Sequence, residues 1–293
     1  MTENNRDLTF SQRNGLAPIP QPLKLGEISD GFRMDLHNII SNFFDKNILS
    51  KQINSIETIY KFNEQTYKTL LEIHCSIFVK PIDEFPDLRS ILNSYKRIFL
   101  GKDWSVYVYN YAYIFDVIEG FMRLHPKKHF NFLSIFKELF KKHALAYTIV
   151  DEECPTIVPA ATPEEGETIR QAFEAAKEDK YEPVRKHLRN SAEQINANKP
   201  ADAIRESIHA VESVLGIVTG KRDFNQALQV LEKSHKTHPA LKDAFKKLYG
   251  YTSDEQGIRH ALVDQPASPA GMDEAVFMLG TCAAFVGYVI RKS

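Results

Sequence analysis

The chain is 293 residues long, 43% hydrophobic and 26% charged, and its 37 Lys and Arg against 38 Asp and Glu give a formal net charge of −1. These values are ordinary for a soluble globular protein of one large or two medium domains, and they exclude a global basic field, so any RNA contact has to rely on a local patch. Cys75, Cys154 and Cys282 stand far apart in no metal-ligand spacing, which fits a reducing cytoplasm, and the polar stretch Met1–Gly15 lacks the apolar segment of a secretory signal.

Residues 1 to about 28 carry Pro18, Pro20 and Pro22 and read as extended or loop. Apolar residues then recur at helical spacing over Phe32–Asn47, Ile53–Val79, Leu88–Leu100, Trp104–Leu124 and Phe130–His143, with breaks at Pro81, Pro86, Gly101 and Pro126. Trp104–Tyr111 alternates and also fits a strand. The many aromatic residues between Phe43 and Phe140 are expected in a core. Ala146–Val150 and Pro155–Val158 are β-prone and flank Asp151-Glu152-Glu153, the pattern of a hairpin. After Pro159 and Pro163 the composition turns rich in Glu, Ala, Lys and Gln, which places a domain boundary near Ala160–Glu165.

The remainder reads as helix throughout: Thr168–Lys180, Pro183–Asn196, Pro200–Val218, Phe224–His235, Pro239–Tyr249, Asp254–Asp264 and Met272–Ile290. Pro200 suits a first turn, and Gly216 and Gly220 suit a C-terminal stop, so the phosphate-loop-like run Gly216–Lys221 is expected to be a helix end. On Pro200–Val218 the core face is Ile204, Ile208, Val211 and Leu215. Arg205, His209 and Glu212 lie within about 60° of one another on a stripe beside it, where they can reach a neighbouring helix and support a site.

The stretch Tyr249–Asp264 holds the main chemical candidates. Ser253 and Gln256 have capping-box spacing, and His260 and Asp264, four apart, stack on one face of the following helix. A carboxylate can then hold the imidazole while the adjacent Arg259 offers its guanidinium. Such a set suits acid/base cleavage of a phosphodiester, the imidazole moving protons and the guanidinium offsetting charge on the phosphoryl oxygens. The same pair also occurs as an ordinary salt-bridged surface feature.

From Ala275 to Ile290 nearly every residue is apolar or small, a run shorter than the roughly 20 residues of a membrane span. It reads as a buried helix whose Gly280, Ala283, Ala284 and Gly287 admit a close neighbour, with part of its surface covered by a second copy of the chain. His125 and His129 are four apart, but Pro126 lies between them and no third ligand is evident, so no cofactor or metal is expected. Small basic clusters, among them Arg185-Lys186-His187 with Arg189, read as solvated faces.

Three segments carry a resemblance: Arg205–Glu212, His238–Leu241, and Leu248–Tyr251 running into Gly257-Ile258-Arg259-His260-Ala261. Through them, Arg185–Arg291 resembles the C-terminal HEPN-like domain of bacterial abortive-infection proteins. Gln12 to about Ala161, with Arg13-Asn14-Gly15, Pro18, Pro20 and Phe32–Phe44, looks like the AbiJ-type N-terminal domain that often precedes it. The resemblance implies a mainly α fold: an N-terminal helical domain (1–160) with a minor β-hairpin, then a HEPN-like helical bundle (161–293), often a homodimer. It also implies a cytoplasmic, metal-independent ribonuclease of antiphage defence, with RNA as substrate and no membrane association. The usual signature has an Arg followed four to six residues later by a His, whereas Arg259 and His260 are adjacent. The alternative is a non-catalytic sensor, scaffold or toxin-neutralising module that meets a defence-system partner protein.

Overall fold

The computed structural model describes residues 10–14, 16, 23–52, 58–62, 64–77, 81, 83, 90–91, 111–124, 131–151, 155–235, 237–254 and 270–293. The chain divides into two compact units, Met1–Ile149 with Glu153–Ile157, and Val150–Glu152 with Val158–Ser293. Among the described residues both are built mainly of helices, with two small two-stranded sheets, in agreement with the fold class expected from the periodicity.

The first unit contains one helical turn, α1 (Phe10–Arg13), then α2 (Asp30–Asn47), α3 (Glu64–Ser76), α4 (Tyr111–Leu124) and α5 (Phe132–Lys142). Helix α2 begins where the Ser29 hydroxyl accepts a hydrogen bond from the Phe32 amide at 3.1 Å, satisfying one of the orphan donors of the first turn. Its Phe32, Leu36, Ile40, Phe43 and Phe44 recur at helical spacing and are all buried. Helix α5 is capped in the same way, the Asn131 side chain accepting from the Ser134 amide at 3.1 Å. The Phe132 ring centroid lies 4.9 Å from that of Phe43 and 5.0 Å from that of Phe121, so the aromatic residues form the core as expected. Burying one such side chain contributes roughly 1.5–3 kcal/mol.

One expectation is corrected here. The periodicity predicts a helix over Ile53–Val79, yet β1 (Ile48–Gln52) pairs antiparallel with β2 (Thr58–Phe62), Ile48 opposite Phe62 and Gln52 opposite Thr58. The run Thr58-Ile59-Tyr60 is β-branched and aromatic, a composition that favours a pleated strand, and the helix begins only at Glu64. The second sheet, β3 (Tyr147–Val150) with β4 (Thr156–Pro159), lies where the chain passes from the first unit to the second.

The second unit contains α6 (Pro163–Ala175), a 3-10 turn (Asp179–Tyr181), α7 (Glu182–Asn196), α8 (Pro200–Thr219), α9 (Phe224–His235), α10 (Pro239–Asp254) and α11 (Met272–Lys292). Helix α6 starts before the predicted Thr168, because Thr162 and Glu165 cap it. The Thr162 hydroxyl accepts from the Glu165 amide at 3.1 Å, and the Glu165 carboxylate accepts from the Ala161 amide at 2.7 Å. Helix α8 stops at Gly220, whose φ of 67° is left-handed, so the Gly216–Lys221 run is the helix end that the sequence predicts. Helix α10 continues through Asp254, past the predicted end at Tyr249 and up to the predicted start of the next helix. The Thr252 hydroxyl donates to the Tyr249 carbonyl at 2.8 Å inside that last turn.

Helix α11 packs against α8, α6 and α7. At 21 residues and a mean hydropathy of 1.5 it is long and apolar enough to cross a membrane, but Ala275, Leu279, Ala283, Val286 and Val289 are fully buried within the unit. Its small residues do admit a close neighbour, and that neighbour is α6 of the same chain. A Cβ at Gly280 would run into the Glu165 carboxylate, and one at Gly287 would lie 3.8 Å from the Ala172 backbone.

Candidate functional site

Helices α7 and α8 are joined by the turn Ala197–Lys199, in which Asn198 takes a left-handed φ of 58°, a conformation that Asn tolerates better than most residues. On their inner faces Val184, Leu188, Ala192, Ala203, Ile204 and Val214 are buried. A small polar knot is buried with them: Ser191 and Ser207 share a hydrogen bond of 2.8 Å, and both hydroxyls bond the Ala203 carbonyl, at 2.9 and 3.0 Å. Each buried hydroxyl therefore has a partner, and the two helices are held in one register.

One turn from this knot, on the partly exposed rim, His187 of α7 meets Glu206 and His209 of α8. His187 Nδ1 lies 2.8 Å from Glu206 Oε2, and the Asn190 amide donates to the same oxygen at 3.1 Å. The His187 and His209 rings are 5.3 Å apart at 66°, edge to face. The side chains of His187 and Glu206 are 29% and 23% exposed, so solvent reaches the cluster. Burial pushes the Glu206 carboxyl up. The hydrogen bonds from His187 and Asn190 and the charge of the two imidazoles more than offset this, and the pKa is lowered overall. Glu206 is therefore an ionised, acceptor-only group. Its Oε2 is the shared acceptor for the His187 ring and the Asn190 amide.

The residues expected to support a site go to three different partners. Arg205 pairs with Asp202 on its own helix at 2.6 Å. His209 joins the cluster with α7. Glu212 accepts a hydrogen bond from the Tyr249 hydroxyl at 2.9 Å, linking α8 to α10, and the Tyr249 ring stacks on Phe224 at 3.8 Å. The main candidates, Arg259, His260 and Asp264, lie outside the described residues. No motif marks Asn190 or Glu206 in the sequence, and His187 belongs to a basic cluster that reads as a solvated face. The available signal was a Glu and a His three apart on one predicted helix, preceded by a His on the helix before it.

A second polar set lies in the first unit. Asp35 Oδ2 takes both Lys142 Nζ at 2.6 Å and His143 Nε2 at 2.8 Å. Among the cysteines, Cys282 is buried and its thiol is pushed up to about 12 by burial, which makes it inert at neutral pH.

Comparison with known families places the N-terminal part of this mainly helical protein. The family model of AbiJ N-terminal domain 4 matches residues 8–175. The chain belongs to this family, and it is an abortive-infection, defence-related protein. The match ends with α6, so the His187–Glu206–His209 cluster lies beyond it. No curated protein and no solved structure matches the chain.

Proposed function

We propose that the protein is a cytoplasmic effector of abortive infection whose C-terminal unit is a HEPN-like bundle that acts as a homodimer and cleaves RNA without a metal ion. The observation that carries this reading is the Arg259-His260 pair with Asp264 four residues on, in a chain of the AbiJ family. A ribose 2′-hydroxyl attacks the adjacent phosphate, His260 takes or returns the proton, and Arg259 stabilises the charge that develops on the phosphoryl oxygens. Asp264, four residues on in the sequence, orients the imidazole. The Glu212–Tyr249 hydrogen bond supports the reading from α8, because it anchors α10, the helix that leads into this segment.

A second reading is favoured by the adjacency of Arg259 and His260, since neighbouring residues point about 100° apart on a helix. In it the unit is a non-catalytic module whose Arg259 and His260 bind a nucleotide or a carboxylate of a defence-system partner protein. Expression toxicity and cleavage of total RNA decide between the two. The nuclease reading expects His260→Ala and Arg259→Ala to abolish both with the helical circular dichroism intact, the loss of acid–base catalysis alone lowering the rate by roughly 10²–10⁴. It also expects cleavage to survive EDTA. Cleavage that persists in His260→Ala overturns it, and a wild type that cuts no RNA favours the binding module.

A further inference from the structure

We infer that His187, Glu206 and His209 form a binding site for a single zinc ion that ties α7 to α8. The inference concerns different residues from the Arg259-His260 pair and does not rest on the nuclease reading.

Two imidazoles and one carboxylate are a donor set that zinc takes with a water in the fourth position. Each of the three residues presents one ligand atom such that all lie within 4.8 Å of one another, and all three side chains are partly exposed. An ion about 2.0–2.2 Å from each donor in a tetrahedral arrangement needs donors on the order of 3.4 Å apart, a shorter spacing than the 4.8 Å within which these atoms lie, so binding draws the three side chains together.

The fold prepares the site in three ways. Glu206 and His209 are three apart and share one face of α8, the Glu-x-x-His spacing by which helix bundles present a carboxylate and an imidazole to one ion. His187 is brought opposite them by the Ser191–Ser207 knot, which holds the two helices in register. Asn190 donates to Glu206 Oε2 and orients the carboxylate, the part that an outer-shell residue plays at a metal site. A simple His187–Glu206 hydrogen bond accounts for two of these groups but gives no reason for the His209 imidazole beside them. On binding, a proton carried by an imidazole leaves to solvent and its nitrogen lone pair goes to the metal, with a carboxylate oxygen of Glu206 as the third protein ligand.

The test uses the full chain without a histidine tag, stripped with EDTA and dialysed. Zn2+ alone is titrated by calorimetry, and Co2+ is added as a spectroscopic stand-in. Expected are one zinc per chain, the visible absorption of four-coordinate Co2+, and a melting temperature that rises with Zn2+. His209→Ala and Glu206→Gln remove the Co2+ absorption, and Asn190→Ala weakens binding by about tenfold. Glu206→Gln keeps the shape of the side chain, so its melting curve without metal shows that the fold is intact. His238→Ala, exposed in the α9–α10 connection, leaves zinc affinity unchanged. A wild type that binds no Zn2+, or binding equally tight in His209→Ala and Glu206→Gln, overturns the site. The two proposals fail separately: a chain that cuts no RNA yet binds zinc through these residues upholds the site, and one that cuts RNA in EDTA yet binds no zinc overturns it.

Discussion

Glu206 and Asp35 show how the same side-chain chemistry is set by its immediate neighbours. Both carboxyls are lowered, Glu206 against strong desolvation and Asp35 chiefly by the hydrogen bond from Lys142, with desolvation opposing and His143 adding to the effect. A lowered folded-state pKa means that the unfolded chain binds the proton first as pH falls. The stabilisation from Asp35 is thus complete above its ordinary value of 3.8 and is lost as pH drops through the lower folded value. Because Lys142 is largely exposed, the pair is worth little, and Asp35→Asn is expected to lower stability at neutral pH by about 0.5–1 kcal/mol. In thermal melts the gap between variant and wild type should close below pH 3.8, and a gap that stays constant down to strong acid contradicts the assignment.

Among the elements, the helices were legible because apolar spacing and capping residues are local properties, as Phe32–Phe44 and Gly220 illustrate. The strand Thr58–Phe62 was not. Its apolar residues fit a helical template equally well, and pairing with Ile48–Gln52 decided the matter. The contact of α11 with α6 leads to a test at this scale. A methyl group at Gly280 has to displace the Glu165 side chain, which accepts from the Ala161 amide at the start of α6. Gly280→Ala is therefore expected to cost about 1–3 kcal/mol in denaturant unfolding, as overpacking combined with a weakened cap. In a Glu165→Ala background the additional cost should shrink, since the obstacle is then absent. Full additivity of the two substitutions in the double-mutant cycle would show that the side chains do not meet.

At the scale of the whole molecule, the composition shift near Ala160–Glu165 lies next to the place where the chain passes between its two compact units. Ala161 and Thr162 are exposed there, between a buried Ala160 and the capped start of α6. Limited proteolysis is expected to cut between about Val158 and Glu167 and to leave a helical C-terminal fragment. First cleavage inside Pro200–Val218 would show that the second unit does not hold together on its own. The sequence by itself determined the mainly α fold class, the aromatic core of the first unit, the burial of the Ala275–Ile290 helix and the AbiJ character of the N-terminal part. The first three follow from periodicity and local chemistry, which a single chain displays in order, and the last from a resemblance carried by particular segments. Only the tertiary structure decided that His209 meets His187 and Glu206, that Glu212 holds Tyr249, and that Gly280 faces Glu165. Periodicity places a residue at an angle around its own helix, but the partner at that angle is set by how helices distant in sequence pack their buried faces together.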